Sequence, residues 1–565
     1  MTKTIVATML GLTIVLGGCT DEFFAAPPKG QANEEILKNK AGIEKLLLGA
    51  YAVVDGVNGS TGSGWASADM NWVWGGVASD DAYKGTVSGD QNPINDIEGF
   101  YVSADNSYVA DHWEPFYDGI LRVNDILRLL PEVADMTDEE VTLVEAQAKF
   151  LRAHYYVELT RVHGPVPYID ENTENPGAVP NDHYVWSEIE ADFEFAIANL
   201  PPDWNDHGRA TSWAAKTYLG YVHLTQHDYA AAKPLFEDVL NSGPFSLMPS
   251  YEQNYLIAHN NNAESIFEIQ YAVNDGQGQS NAGLGNSIIG GTFMGGSCFY
   301  QPTHNLVQSY RTGEDGLPLL DDIYDYTVDD ILPFDDADNG AANLYTEPVD
   351  PRLDHTVGRP GVPFLDWGVQ AGLSWIRDPS NGGPYLNKKP MFLEAEKGTE
   401  SSVEGRTFPN ANNYRKFKLG QVILWLAEIE VETGDLERAR ELVNMIRNRA
   451  KESNVVLMPD GTPASNYVIE PYPSFPSREY ARLAYQHEMR VEYAMEGYRF
   501  YDLVRWGIAE EYIDRHFEAD GTQLAYLLGR DFVSGQHEIW PIPQLQIDLS
   551  RDENGNPVLE QNPGY

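Results

Sequence analysis

The spacing of apolar residues along the chain predicts a mostly helical protein. Between residues 34 and 54, Ile43 and Leu47 recur at an interval that places them on one side of a helix. Similar spacing predicts helices over residues 113–130, 138–162, 185–200, 211–226, 228–240, 418–433 and 436–450. Thr137 followed by Glu140 predicts a capping box at the start of the second of these.

A further helix is predicted from about residue 479 to residue 506, where charged and apolar residues interleave. Spacings of three residues would allow ion pairs along its surface, between Glu496 and Arg499, Arg499 and Asp502, and Asp502 and Arg505. Gly497 lies inside this pattern, although glycine in a helix interior costs about 1 kcal/mol relative to alanine. We therefore expect another backbone to approach Gly497 closely.

Long stretches without helical spacing separate these helices. Residues 270–413 are rich in Gly, Pro, Asn and Asp and are far longer than an ordinary connection, which indicates a functional segment or subdomain. We expect one body over residues 34–565 with two kinds of segment. The helical scaffold is predicted at about 34–54, 113–260 and 414–510, and loop-rich ligand-binding insertions are predicted at about 55–112 and 270–413.

The N-terminal residues are typical of a targeting signal. Lys3 precedes an apolar run at residues 5–16, which is too short to span a bilayer and fits a signal peptide over residues 1–18. The small residues directly before Cys19 resemble a bacterial lipobox, in which Cys19 would be lipidated and residues 19–33 would form a tether. An ordinary signal peptide followed by a coincidental cysteine is the alternative.

Composition and charge restrict the ligands. The 565 residues are 42% hydrophobic, which suffices for a packed core, and the formal net charge is −47. Such an acidic chain repels phosphate backbones and anionic polymers, so we expect neutral ligands and no nucleic acid. The chain has two cysteines. If Cys19 is lipidated, Cys298 has no intrachain partner, and it is either a buried small residue or a site residue.

Three C-terminal motifs carry a family resemblance. They are E-x-x-x-E-G-x-R-F-Y-D-L-V-R-W-G at residues 492–507, WPIPQLQIDL at 540–549 and QNPGY at 561–565. Together they resemble the C-terminal signature of the SusD/RagB family of outer-membrane nutrient-binding lipoproteins. The resemblance implies a mostly α fold, with a scaffold of tetratricopeptide-like helix pairs and a loop-rich part that presents a glycan site. It also implies a SusC-like TonB-dependent transporter as partner, and a lipid anchor that holds the protein on the exterior of the outer membrane.

The first candidate binding cluster follows residue 71. It contains Trp72, Trp74, Asp80, Asp81 and Lys84. Sugars present apolar C–H faces and a rim of hydroxyl groups, so their sites combine flat aromatic rings with charged or amide groups. The alternative is that these aromatic residues belong to the core beneath a turn. In the SusD/RagB family this region commonly supplies a ligand-facing aromatic residue and the Ser-Asp-Asp run.

Two more candidate clusters lie in the second insertion. The second cluster includes Cys298 and Tyr300, because residues just before the proline at position 302 often line the family's site. The third cluster places polar and aromatic residues among glycines and prolines, and its candidates are Arg359, Trp367, Trp375 and Tyr385. The alternative for each residue is packing within its own insertion.

Enzyme and metal motifs are incomplete in this sequence. His487-Glu488 lacks the second histidine of a zinc-protease helix. Residues 336–347 approach a calcium loop but lack its ligand spacing, and a loosely built calcium site is the alternative there. We therefore predict a protein that captures a glycan without catalysis, cofactor or metal. A laminarin-type β-glucan is the hypothesis for the ligand and a fructan is the alternative. A surface glycoside hydrolase and a scaffold that binds only protein are the other function classes left open.

Overall fold

The computed structural model describes residues 34–57, 64–276, 281–283, 285–320, 345–402 and 409–565. The predicted signal peptide, Cys19, the tether and the calcium-like loop near residue 336 lie outside these ranges. In the part of the chain that is described, no helix combines the length and the apolar character needed to cross a membrane.

Helices account for most of the regular structure. They are α1 (Glu34–Leu37), α2 (Lys40–Tyr51), α3 (Pro93–Glu98), α4 (Ser107–Leu129), α5 (Asp138–His163), α6 (Trp186–Asn199), α7 (Ser212–Thr225), α8 (Tyr229–Ser242), α9 (His304–Gln308), α10 (Arg352–Thr356), α11 (Pro379–Gly382), α12 (Leu419–Thr433), α13 (Leu436–Glu452), α14 (Arg478–Tyr493), α15 (Arg499–Arg505), α16 (Ala509–Asp520) and α17 (Gln544–Leu549). The prediction of a mostly α fold is confirmed. The capping box of Thr137 and Glu140 at the start of α5 is confirmed as well.

The long helices pack against their neighbours in the chain. Helices α4 to α8 form consecutive contacts, α12 packs on α13, and α12 also contacts α8 and α14. One hydrophobic cluster fills the space between them, and Phe150, Tyr218 and Trp425 lie at its centre without exposed surface or nearly so. This arrangement agrees with the mostly helical fold predicted from the spacing of apolar residues and with the scaffold of helix pairs that the resemblance implies.

Among the described residues, three short antiparallel ladders lie within or beside the loop-rich segments. Their strands are β1 (Ala82–Gly85) with β3 (Phe299–Pro302), β2 (Ser265–Ile269) with β6 (Tyr414–Lys418), and β4 (Val357–Gly358) with β5 (Leu386–Asn387). Ala82 lies opposite Pro302 in the first ladder, so the two predicted insertions are hydrogen-bonded to each other. The exact residue boundaries predicted between scaffold and insertions stay predictions.

A second hydrophobic cluster lies beneath these loops. It joins residues of the first insertion, residues of the second insertion and the C-terminal part of the chain, including Trp72, Phe299, Leu386 and Trp540. The loop-rich part is therefore built around a core of its own. Its stability comes from contacts between segments that are distant in sequence, which periodicity along the chain does not report.

The prediction of one continuous helix from residue 479 to residue 506 is wrong in one respect. The helix is interrupted between α14 and α15, where Met495 and Gly497 have φ angles of 64° and 74°. A Cβ atom at Gly497 would lie 2.0 Å from the carbonyl oxygen of Met70, so the predicted close approach of another backbone is confirmed. The left-handed conformation and the lack of space both favour glycine at this position.

The interruption also changes two of the three predicted ion pairs. Asp502 and Arg505 lie on α15, and the Arg505 Nε atom donates to Asp502 Oδ1 at 2.9 Å, as predicted. Glu496 precedes α15 and instead accepts hydrogen bonds from the ammonium groups of Lys389 and Lys418. Arg499 turns toward Asp80 of the first insertion. These buried pairs hold the insertions on the helical scaffold.

Candidate functional site

The first predicted cluster lies in the core. Trp72 and Trp74 occupy a π-helical turn (Trp72–Val77), and their exposed fractions are 0% and 1%. Their indole N–H groups donate to the carbonyl oxygens of Trp65 at 2.9 Å and Ala66 at 2.7 Å. Since both rings are covered, they offer no face to a sugar in this structure. This geometry supports the alternative that both residues are core aromatics.

The carboxylates of this cluster belong to a buried ion-pair network. Asp80 accepts two hydrogen bonds from Arg499, at 2.8 Å and 3.0 Å, and lies 3.1 Å from Arg490. Asp81 accepts from Arg490 Nε at 3.0 Å. Burial alone would raise the pKa of Asp80, but Arg490 and Arg499 outweigh burial and hold that pKa well below its ordinary value. Both carboxylates therefore tie the first insertion to α14 and α15.

The side chain of Lys84 also stabilises the fold through hydrogen bonds to the main chain. Its ammonium group donates to three main-chain carbonyl oxygens, of Val87 at 3.3 Å, Ser88 at 2.9 Å and Asp90 at 3.0 Å. Burial lowers the pKa of this lysine, while nearby carboxylates oppose the shift. The three carbonyl groups use all three ammonium hydrogens, so this geometry holds a loop together and leaves no donor for a ligand.

Both candidates of the second cluster are buried as well. Cys298 forms no disulfide, and burial raises the pKa of its thiol to about 11. Its sulfur lies 3.6 Å from the carbonyl oxygen of Trp375. The ring of Tyr300 packs edge-on against Trp72, with centroids 6.0 Å apart. Cys298, just before β3, therefore contacts the third cluster, and Tyr300, within β3, contacts the first.

Two members of the third cluster are buried and two are partly exposed. Arg359 donates two hydrogen bonds to Asp354, at 2.8 Å and 2.9 Å, and Tyr385 packs on His304. Neither offers surface to a ligand. Trp367 and Trp375 retain exposed area at the edge of the second hydrophobic cluster.

The partly exposed tryptophans meet a phenylalanine that the sequence analysis missed. Phe293 stacks on Trp375 with ring centroids 3.7 Å apart and lies 5.4 Å from Trp367, edge to face. We call these three side chains the aromatic platform. The Trp367 indole N–H donates to the carbonyl oxygen of Phe392 at 2.9 Å, which fixes the orientation of the ring. Phe293 is a single aromatic residue in a glycine-rich segment, so no periodic pattern marks it.

Short contacts bring the two halves of the platform together. Phe293 lies in a 3-10 turn (Thr292–Met294) and Trp375 ends another (Gly372–Trp375). The hydroxyl of Thr292 donates to the carbonyl oxygen of Ser374 at 2.8 Å. This hydrogen bond and the contact from Cys298 described above hold the segment around Phe293 against the third predicted cluster.

Charged groups lie beside the aromatic platform. Asp366 is exposed and accepts main-chain hydrogen bonds from Glu394 at 2.5 Å and Ala395 at 3.1 Å. The Lys397 ammonium lies 5.8 Å from the centroid of the Trp367 ring. Flat apolar rings with a carboxylate and an ammonium at the rim form a surface that can contact both the C–H face and the hydroxyl groups of a sugar.

Comparison with known proteins identifies the family of this chain. The model of the SusD family matches residues 263–565, and a second model, described as SusD-like, starch-binding associating with outer membrane, matches residues 27–224. SusD-like protein P2 of Formosa agariphila is 25% identical over 582 residues, which cover 99% of each chain.

Solved structures agree with this assignment. A laminarin binding SusD-like protein superposes with a TM-score of 0.64 at 24% identity, over 93% of this chain and 100% of that one. Surface glycan-binding protein A from Bacteroides thetaiotaomicron in complex with laminarihexaose has a TM-score of 0.64 at 20% identity, over 93% of this chain and 99% of that one. At these identities the likeness establishes the fold. The family model covers more than half of the sequence, so this chain is a member of the SusD family.

Proposed function

We propose that this protein binds a neutral glycan on the aromatic platform. The stacked and partly exposed pair of Phe293 and Trp375, with Trp367 edge-on beside it, is the observation that carries the proposal. Aromatic rings pack against the C–H faces of pyranose units. Asp366 and Lys397 are the rim groups that would hydrogen-bond to the hydroxyls.

A laminarin-type β-glucan is the ligand that we propose, with a fructan as the alternative. The net charge of −47 disfavours anionic polysaccharides such as alginate. Two structures of the same fold are described as laminarin binding or as a complex with laminarihexaose, which supports a β-glucan for this relative as well.

The protein would capture the glycan and pass it to a TonB-dependent transporter without cleaving it. Family membership supports this role, and the description of the second family model supports association with the outer membrane. Lipidation at Cys19, with the protein facing the cell exterior, would supply the attachment. A Cys19→Ser variant should then leave the membrane fraction, and the wild-type chain should co-purify with a transporter from detergent-solubilised membranes. Failure of either result would contradict that part of the proposal.

Calorimetric titration of the full chain tests glycan binding directly. Laminarin should bind, alginate should not, and a fructan titrated in parallel decides between the two neutral ligands. Trp375→Ala should weaken the interaction by about tenfold or more, because it removes one of the stacked rings. Trp213→Ala is the matched control, since it removes a partly buried tryptophan of α7 that lies outside the platform.

Two results would contradict the proposed function. Equal affinity of wild-type and Trp375→Ala chains for laminarin would place the ligand elsewhere. New reducing ends during the titration would show cleavage and favour the glycoside hydrolase alternative.

A further inference from the structure

A cavity away from the aromatic platform has a mixed aromatic and polar lining. It lies between α5, α7, α15 and the start of α6, and its volume is about 130 Å³. Its aromatic walls are Tyr184, Trp186, Tyr221 and Tyr501. No residue of the platform lines it, so a ligand could occupy both places independently.

The mouth of the cavity presents a flat aromatic surface. Tyr184 is 45% exposed. Trp186 is partly exposed, and its ring is nearly parallel to that of Tyr184, with an interplanar angle of 4° and centroids 6.0 Å apart. Two parallel rings at a cavity entrance suit a flat ligand with an apolar face.

Three residues that line the cavity carry buried polar atoms without a hydrogen-bond partner. Among the described residues, Thr160 Oγ1, Arg161 Nε and Arg505 Nη2 have none. The Arg161 and Arg505 side chains are only 5% and 2% exposed. Buried donors without acceptors destabilise a protein, so a ligand oxygen that comes within hydrogen-bonding distance of these atoms would gain favourable contacts.

The positive and negative charges of the buried ion pairs beside the cavity are equal in number. Three cations and three carboxylates form ion pairs there, namely Arg161 and Lys416 with Glu158, and Arg505 with Glu428 and Asp502. Glu538, which also lines the cavity, adds a negative charge. An anionic ligand would find no surplus positive charge to neutralise, whereas a neutral ligand rich in hydroxyl groups would meet unused donors.

We propose that this cavity is a second saccharide site, which binds one unit of a neutral sugar. The sugar ring lies against Trp186 and Tyr184, and its oxygens accept hydrogen bonds from Thr160, Arg161 and Arg505. The site extends the glycan-binding function proposed above, but it does not depend on the aromatic platform.

The test uses the full chain with the platform disabled by Trp367→Ala and Trp375→Ala. Methyl β-D-glucopyranoside is the probe, and its affinity is measured by ligand-observed NMR titration. The background chain should retain binding, and a further Trp186→Ala substitution should weaken it by about tenfold or more. Trp213→Ala in the same background is the control and should leave the affinity unchanged.

Thr160→Val is the sharper variant because valine has nearly the same shape as threonine. The Thr160 hydroxyl has no hydrogen-bond partner within the described chain, so its removal should leave the melting temperature unchanged or raise it. The affinity for the probe should nevertheless fall about three- to tenfold. A role in folding alone would not lower affinity while preserving stability.

Three outcomes overturn the inference. They are loss of all binding in the background chain, affinity unchanged by both Trp186→Ala and Thr160→Val, and tighter binding of methyl β-D-glucuronide than of the neutral glucoside. A different result is expected if the aromatic platform does not bind sugar. In that case the wild-type and background chains bind the probe equally, and a remaining dependence on Trp186 and Thr160 still supports the cavity.

Discussion

Replacing Asp80 by asparagine should destabilise the protein strongly. The substitution keeps the shape of the side chain but removes one negative charge from a buried network in which Asp80 contacts Arg499 at 2.8 Å and 3.0 Å and Arg490 at 3.1 Å. One buried positive charge is then left in excess. Breaking such a pair by removing one partner costs about 3–5 kcal/mol. We expect a loss of this size in the free energy of unfolding at pH 7.

Urea unfolding followed by tryptophan fluorescence measures this loss through the shift of the midpoint. The matched control is Glu441→Gln, which neutralises a carboxylate in a surface pair with Arg438 at 3.2 Å, where the side chains are 53% and 42% exposed. Water and salt screen this pair, so its removal should cost far less than the removal of the Asp80 charge. Equal midpoints for the two variants would refute the reasoning.

The effect should also depend on pH in a defined direction. Arg490 and Arg499 depress the pKa of Asp80 in the folded protein, whereas an unfolded aspartate titrates at about 3.9. The stabilisation is therefore fully present above about pH 4 and is lost as the pH falls toward the folded pKa. The stability difference between wild-type and Asp80→Asn chains should narrow as the pH falls below about 4. A constant or widening difference would contradict the depressed pKa.

Other predictions follow from the buried positions. Gly497→Ala should lower the unfolding midpoint strongly, because Met70 leaves no room for a Cβ atom, and an unchanged midpoint would contradict this packing. Trp74→Ala should cost about 3–5 kcal/mol in urea unfolding because its ring is fully packed; normal stability with loss of laminarin binding would instead make Trp74 a ligand residue. Cys298 should react with a thiol reagent only after unfolding, because burial raises its pKa to about 11, and rapid labelling of the native chain would refute this.

The helical scaffold was predictable because its signal is local. The predicted helix over residues 138–162 differs by one residue from α5, and its capping box needs only Thr137 and Glu140. A close backbone approach at Gly497 was also predictable, because glycine is unfavourable in a helix interior and its presence there indicates a packing constraint. The break at that point was not predictable, because it depends on Met70, more than 400 residues away in the chain.

The proposed binding surface was harder to predict because aromatic residues serve both cores and sites. Trp72 and Trp74, like Trp367 and Trp375, lie near glycine and polar residues in a predicted insertion, but the first pair is buried and the second is partly exposed. Nothing within either segment separates the two cases. Exposure depends on which distant segments cover each ring, and Trp540 covers Trp74.

The sequence by itself determined the family and the helical class, and it predicts a preference for neutral ligands. Helix periodicity, capping and net charge are properties of neighbouring residues or of the whole composition, and each can be read without knowing contacts. Only the tertiary structure decided that Phe293 completes the aromatic platform and that Asp80 is an ion-pair partner. These features arise where segments far apart in sequence meet, and burial and pairing are set by those contacts.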